Sequence, residues 1–462
     1  MQITGNELIQ ACAGIVQQGN PDSAITGFSI DSRRITPGDF FVPLPGERED
    51  GHRYVGQALE RGAAGSFYSR IPVPPLPSGS LIIRVGDVLT ALQQVAAAYR
   101  TRFDLPVIGV TGSSGKTTTK DLIAGVLSSR LEVLKTEGNL NNEIGLPLTL
   151  LTLEEHHQAA VLEMGMSAPG EIAILAKMAR PAIGVISNIG EAHLERLGSR
   201  EAIARAKEEL LDYIGSGGTA VLNGDDDRLV QMGKRFPGKA YYYGFSRGDV
   251  RCTKLSQQGE NSFFRVRFPN RSERSFSLPL PGRHLVSNAL AALTIGYLFQ
   301  IGPAEMETGL QASRVTGGRL QIRRTGRGVR VIDDSYNANP SSVKAALEVL
   351  RDLGGSKGVA VLGEMLELGP TAAEEHRQVG RFAARCGIAR LVTVGALAGE
   401  AAAAARAAGL AAIACADHAE AVSALNELPL DQSWTVLVKG SRGARMDQLV
   451  QALLKEPEGE TK

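Results

Sequence analysis

The sequence predicts an α/β protein in three domains. Three observations carry this expectation. The chain has 462 residues, more than one ordinary core accommodates, so two to four domains are expected. Beyond about residue 84, short apolar runs alternate with helix-patterned stretches, which implies βαβ units and mostly parallel sheets. The chain holds 53 glycines, above the usual roughly 7%, and only 5% aromatic residues, as suits many tight turns between short strands and helices.

The first region, 1–84, reads as a small α/β cap. It has short mixed segments and a polar, turn-rich centre from Asp31 to Gly51. Four prolines in I-P-V-P-P-L-P-S-G-S (71–80) forbid regular structure there and predict a rigid loop. The run Leu81-Ile82-Ile83 then predicts a last strand.

The second region, 85–313, opens with the helical pattern Val88 to Tyr99 and the strand P-V-I-G-V. Further strands are expected at Ala159 to Leu162, Ile183 to Ser187 and Ala220 to Asn223, with helices between them. From Phe263 to Leu280 the pattern turns strand-like, as a small antiparallel addition would. A helix from Leu285 to Phe299 closes the region. The third region, 314–462, repeats the alternation with V-R-V-I, G-V-A-V-L, R-L-V-T-V and W-T-V-L-V around helices at Ser342 to Leu350 and Thr371 to Cys386. That is a doubly wound, Rossmann-like pattern.

Composition narrows the function. Fifty Lys+Arg against 49 Asp+Glu argue against a general nucleic-acid binder, though not against a local basic pocket for phosphates. The four cysteines form no C-x-x-C pair, which disfavours a structural zinc site or a disulfide framework. The N-terminus lacks a signal pattern, and the Ala-rich stretch 401–416 is too weakly apolar to span a bilayer. A cytoplasmic protein without membrane insertion is expected.

The strongest local motif is G-V-T-G-S-S-G-K-T-T-T-K, Gly109 to Lys120. It follows a strand and opens a helix expected over Asp121 to Leu127. This is the context of a phosphate loop, in which backbone N–H groups and a helix N-terminus hold phosphate oxygens. Gly112, Ser113, Ser114, Gly115, Lys116, Thr117 and Thr118 are its members. Lys116 can reach terminal phosphates, and the Thr117 hydroxyl can ligate Mg²⁺. Val110 replaces the glycine of the strict pattern, so the loop belongs to a subfamily.

Glu163 stands at the carboxyl end of one strand, where ligands gather in open α/β sheets, and His193 follows the next strand. Each alone reads as a surface or structural residue. Together, behind a phosphate loop, they read as metal ligands. Lys207 shares an apolar face with Ile203 and Leu211 at i, i+4 spacing, on a helix from Ser199 (its N-cap) to Tyr213. It either snorkels to solvent or is buried as a neutral amine, which can add CO₂ to form an anionic carbamate. Spacing alone favours snorkelling.

These motifs together resemble the Mur ligase family over nearly the whole chain. The T-G-x-x-G-K-T-T loop at Thr111 to Thr118 carries the likeness, with its non-glycine Val110. So do G-N-L-N-N-E-I-G-L-P (138–147), E-M-G-M-S-A-P-G-E-I (163–172), S-N-I-G-E-A-H-L-E-R-L-G-S (187–199), D-D-S-Y-N-A-N-P (333–340) and L-G-E-M-L-E-L-G (362–369). The blocks are similar to the member that joins D-alanyl-D-alanine to a UDP-N-acetylmuramoyl-tripeptide. A sister ligase adding the third amino acid is the nearest rival, and a nucleotide-switched regulator a rival of another class.

The resemblance implies ATP and Mg²⁺ as cofactors, with UDP-MurNAc-tripeptide and D-Ala-D-Ala as substrates; no feature of the sequence, such as a heptad stripe, demands a dimer, so a monomer is expected. It implies a cap (1–84) for the UDP-sugar, a central ATP domain (85–313) and a C-terminal domain (314–462) for the dipeptide. By the same resemblance, Lys116, His193, Lys207 and Arg319 are catalytic, and Thr117, Glu163, His193 and Lys207 arrange the metal, with Lys207 carbamylated. Asn288 lies near adenine, Arg319 reaches the phosphates across the domain boundary, Asp334 meets the ribose and Tyr336 lies close to the nucleoside. Ser32, Arg33 and Asn142 contact the UDP-linked substrate. From the residues alone, Asn288 could equally bond within its helix and Arg319 could be a surface turn residue.

Overall fold

The structure, a computed structural model, describes residues 2–46, 49–70 and 75–455. Residues 71–74 of the proline-rich segment lie outside these.

Near the N-terminus, Leu81–Arg84 is an inner strand of a five-stranded sheet. It pairs antiparallel with Ile15–Gln18 and parallel with Gly65–Tyr68, which continues to Asp39–Phe41 and Gly27–Ser29. Phe40 and Phe67 meet edge-on beneath it, ring centroids 4.8 Å apart. Helix Val88–Arg100 follows, N-capped by Asp87. Its apolar face packs both on helix Gly5–Cys12 and on helices of the next sheet. Arg100 fixes it there by donating to the carbonyls of Ala179, Phe103 and Leu105 at 2.6–3.0 Å.

The central sheet has nine strands among the described residues. Strand Val107–Thr111 lies between Ala159–Glu163 and Ile183–Ile186, parallel to both. All three are buried along their length, which explains their unbroken apolar runs. After Val107–Thr111 the chain first builds one side of the sheet, with Val133–Lys135 at the edge, and then crosses to the other. A crevice therefore opens at the carboxyl end of Val107–Thr111, where open α/β sheets bind ligands. Val250–Gln258, Asn261–Arg267 and Glu273–Leu278 form the antiparallel addition.

Two of the elements that differ from the sequence reading bear on the site. The phosphate-loop helix begins at Lys116, not Asp121, and runs to Ser128. Its N-cap is Gly115, left-handed (φ 76°) and without a side-chain cap, so the usual capping signal is missing. Helix Pro303–Ala312 follows helix Arg283–Leu298, where no further helix was expected. Its proline occupies the first turn, where the missing N–H costs nothing.

The C-terminal sheet has six strands among the described residues. Gln321–Arg324 is antiparallel to Arg330–Asp334, which runs parallel to Thr435–Lys439 and on through Gly358–Gly363, Arg390–Val394 and Ala412–Cys415. No helix among the described residues is long and apolar enough to cross a membrane.

Candidate active site

A cleft of about 1080 Å³ opens where the central and C-terminal sheets face each other. The phosphate loop forms one wall. Gly112 (φ 151°) leaves no room for a side chain, since a Cβ there would collide with the Ser187 hydroxyl. The loop is braced from the neighbouring strand end. Asn188 Oδ1 accepts from the Ser114 backbone N–H (3.0 Å), while its Nδ2 donates to the Ser114 carbonyl (2.9 Å). The Ser113 hydroxyl accepts from Gly190 N–H at 2.8 Å. Asn288, on helix Arg283–Leu298, packs against Gly115 and lines the same cleft.

Lys116 Nζ donates to the Gly112 carbonyl at 2.8 Å, folded over its own loop. Burial lowers its pKa, Glu163 opposes this, and the positive charge of Arg319 lowers it further. Lys116 and Arg319 are thus two neighbouring cations lining one cleft. Arg319 stacks on the Tyr336 ring, 4.1 Å from its centroid, and its Nε is buried without a hydrogen-bond partner among the described residues. An orphaned guanidinium N–H beside a phosphate-loop lysine fits a polyphosphate.

Thr117 and Glu163 meet at the mouth of the loop. The Thr117 hydroxyl donates to Glu163 Oε2 at 2.6 Å, and Asn141 Nδ2 donates to Oε1 at 2.7 Å. A hydroxyl and one carboxylate suit Mg²⁺, which keeps waters and takes further oxygens from substrate phosphates. Among the described residues no three His, Cys, Asp or Glu side chains gather at one point. His193 lines the cleft in a left-handed conformation (φ 64°), but its Nδ1 lies 2.6 Å from Glu367 Oε2 of the C-terminal domain. That contact holds the Glu367 carboxyl below its usual pKa.

The structure overturns the snorkelling expectation for Lys207. The residue is 1% exposed and has no carboxylate or carbonyl partner among the described residues. Burial, and then the charge of Lys116, push its pKa well below the ordinary lysine value. It stands behind the cleft wall rather than in the lining.

Across the cleft, Asp334 accepts from Leu320 N–H (3.1 Å) and pairs with Lys439 Nζ (2.6 Å). Burial raises its pKa and Lys439 opposes the rise. The lysine also holds the Asn337 carbonyl at 2.8 Å. Nearby His284, its pKa lowered to about 4 by burial and then by Lys439, lines the cleft as a neutral imidazole.

Ser32, Arg33 and Asn142 have other partners. Ser32 donates to Gln57 (2.7 Å), and exposed Arg33 pairs with Asp31. Neither lines the main cleft. A second cavity of about 560 Å³ lies between the N-terminal sheet and the edge strand Val133–Lys135, and Arg34, not Arg33, faces it together with Lys135. Asn142 lines the main cleft, but its Oδ1 accepts from Gly145 N–H (2.9 Å). Its neighbour Asn141 is the one that braces Glu163. Sequence reasoning missed Asn141, Asn188 and Lys439. The first two lay inside quoted motif blocks, and Lys439 directly follows the expected strand W-T-V-L-V, as Glu163 follows the strand expected over Ala159 to Leu162.

Three family profiles match the chain: "Mur ligase family, catalytic domain" over residues 24–100, "Mur ligase middle domain" over 110–296 and "Mur ligase, glutamate ligase domain" over 318–442. Among curated relatives, the UDP-N-acetylmuramoyl-tripeptide–D-alanyl-D-alanine ligase of Bacillus subtilis is 43% identical over 376 residues, 81% of each chain. The Escherichia coli ligase of the same name is 35% identical over 98% of each. A MurF crystal structure from Acinetobacter baumannii superposes with a TM-score of 0.90 at 33% identity, covering 99% of both chains. The MurF ligase of Thermotoga maritima in complex with ADP gives 0.82 at 28% identity, over 93% of this chain and 97% of that one.

Proposed function

Because the chain belongs to the Mur ligase family, we propose that it joins D-alanyl-D-alanine to UDP-N-acetylmuramoyl-tripeptide at the expense of ATP, giving the UDP-MurNAc-pentapeptide of peptidoglycan synthesis. One observation carries the reading: a phosphate-loop lysine and an arginine from the domain boundary line a single cleft.

The chemistry follows from the substrates. A carboxylate is a poor electrophile because its leaving group would be oxide. Its oxygen attacks the γ-phosphorus of ATP, the bond to the β-phosphate oxygen breaks, and ADP leaves. The resulting acyl phosphate has a good leaving group. The dipeptide amine attacks its carbonyl carbon, phosphate departs, and the nitrogen gives up a proton. Two anions must approach in the first step, so Lys116 and Arg319 neutralise charge from two sides. Thr117 and Glu163 would hold Mg²⁺, which supplies further neutralisation of the phosphates when bound. Asn188 keeps the loop N–H groups aimed, and Asn141 fixes the carboxylate. Closure of the two domains over the cleft would exclude water from an intermediate that water would destroy.

On this reading His193 and a carbamylated Lys207 complete the metal surroundings, and Asn288, Asp334 and Tyr336 receive the nucleoside. The uridine diphosphate enters the second cavity, where Arg34 and Lys135 face it. The dipeptide meets the C-terminal domain. On the same reading the enzyme works as a cytoplasmic monomer.

The test is coupled ADP release with UDP-MurNAc-tripeptide and D-Ala-D-Ala, then with single amino acids. Release that requires the dipeptide is expected, and release with single amino acids instead assigns a sister ligase. Lys116→Ala should abolish acyl-phosphate formation; full turnover in that variant would remove the lysine from the site.

A further inference from the structure

The helix that opens at the phosphate loop also grips the segment joining the central and C-terminal sheets. That segment, residues 313–320, runs back along helix Lys116–Ser128 toward the loop. Ser313 sits against Gly125, where a Cβ would collide with its hydroxyl. One helical turn nearer the loop, Asp121 Oδ2 accepts from both the backbone N–H and the hydroxyl of Thr316, each at 2.9 Å. Asp121 is itself immobilised. Its side chain is buried, and Oδ1 lies 3.0 Å from Lys120 Nζ and 3.6 Å from Lys135 Nζ. Lys120 in turn is tied to the Thr136 carbonyl at 2.6 Å.

Beyond Thr316 the close backbone bonds go to the C-terminal domain, which also reaches back with a long 3.5 Å bond from Gln321 Nε2 to the Val315 carbonyl. The Gly318 carbonyl accepts from Tyr336 N–H at 3.0 Å, and Leu320 N–H donates to Asp334 at 3.1 Å. Thr316 is therefore fastened to the central domain and Gly318 to the C-terminal domain. Gly317 alone stands between them. Three residues from Thr316 to Arg319 span at most roughly 10 Å, so little slack separates the anchor from the guanidinium.

We propose that Asp121 is a positioning residue for Arg319: by holding Thr316 it fixes, at Gly317, the pivot about which the C-terminal domain turns, and so sets where the arginine meets the transferring phosphate. The proposal rests on the ligase reading above, because that reading supplies the phosphate. It also relocates the arginine's control. Closure of the C-terminal domain carries Arg319, but a residue of the phosphate-loop helix defines the axis. A misplacement of about 1 Å costs up to roughly a hundredfold in rate, so loss of one of two anchoring hydrogen bonds should be visible in kcat.

Thr316 is only half-buried, so Thr316→Val removes the hydroxyl donor at small risk to folding, and Thr316→Ser retains it. In the coupled ADP-release assay with the full chain, Thr316→Val should lower kcat about fivefold with an unchanged KM for ATP. Its Tm should stay within about 1 °C, and Thr316→Ser should behave as wild type. In an Arg319→Lys background the valine substitution should add less than about twofold, because both changes act through one group. A kcat close to wild type in Thr316→Val overturns the proposal. So does a loss that tracks a fall in Tm, that serine fails to restore, or that persists in full beside Arg319→Lys. A wild-type chain that releases no ADP with these substrates instead overturns the ligase reading.

Discussion

Lys207 poses a problem of charge. A lysine 1% exposed, with no carboxylate partner and Lys116 as its charged neighbour, is unfavourable as an ammonium. Its folded-state pKa lies below the unfolded value. The unfolded chain therefore holds a proton that the folded chain releases, and this group opposes folding until the pH rises to the ordinary lysine range. A fold retains such a residue when the neutral amine is useful, and conversion to a carbamate would supply an anion beside Lys116. Lys207→Ala should lower turnover about a hundredfold or more, and formate or acetate should restore part of it in the ADP-release assay. In the wild type, acidification through the lowered pKa should protonate the amine and reduce turnover, and added bicarbonate should counter the loss. No rescue and no bicarbonate dependence would leave Lys207 a structural lysine. The i, i+4 spacing placed it on an apolar face, but spacing cannot say what covers that face, so burial was not legible. Asn141 has the same lesson in miniature. It is adjacent to Asn142, and only the fold shows which amide turns to Glu163. Asn141→Ala should lower kcat about tenfold while Tm changes little.

At the scale of elements, the phosphate-loop helix is pressed backbone to backbone against helix Pro303–Ala312. A Cβ on Gly309 would strike the Gly125 carbonyl, and one on Gly125 would strike Ser313 and the Gly309 carbonyl. Gly56, within helix Val55–Glu60, has nothing within 4 Å of where its Cβ would stand. The same substitution should therefore act oppositely at the two sites. Gly56→Ala should stabilise by about 0.5–1 kcal/mol through reduced backbone freedom. Gly125→Ala should cost about 1–3 kcal/mol through overpacking. Denaturant midpoints at constant m-value separate the two, and equal shifts would contradict the packing argument. The start of one helix was legible from a side-chain signal. Ser199 caps helix Arg200–Ile214, accepting from Ala202 N–H as its position suggested. The start of the phosphate-loop helix was not, because a left-handed glycine leaves no capping oxygen to read.

Across the whole molecule, the cleft is made by contacts that no local pattern encodes. Asp121 and Thr316 are 195 residues apart, Ser341 and Glu191 150 apart. The phosphate loop was legible because strand, loop and helix are consecutive; its opposite wall arrives from the far end of the chain. The C-terminal domain is held by an apolar cluster that includes Val349, by the hydrogen bonds of Ser341 with Glu191 and of Thr316 with Asp121, by the His193–Glu367 contact, and by half-exposed ion pairs of Glu260 with Arg324 and Arg330. Such pairs are worth about 0–1 kcal/mol each and weaken as salt shortens the screening length. Bound nucleotide would add a stronger tie, because its phosphates are attracted to Lys116 of one domain and Arg319 of the boundary at once. Without nucleotide, the radius of gyration from small-angle scattering should rise between about 0.05 and 0.5 M salt. With a non-hydrolysable ATP analogue and Mg²⁺, the wild type should be more compact and nearly insensitive to salt. Arg319→Ala should still bind the analogue through the loop, raising Tm by mass action, yet should lose the compaction. Compaction that persists undiminished in Arg319→Ala would show that closure draws on other contacts, and the arginine would then be a passenger of domain movement rather than a cause of it.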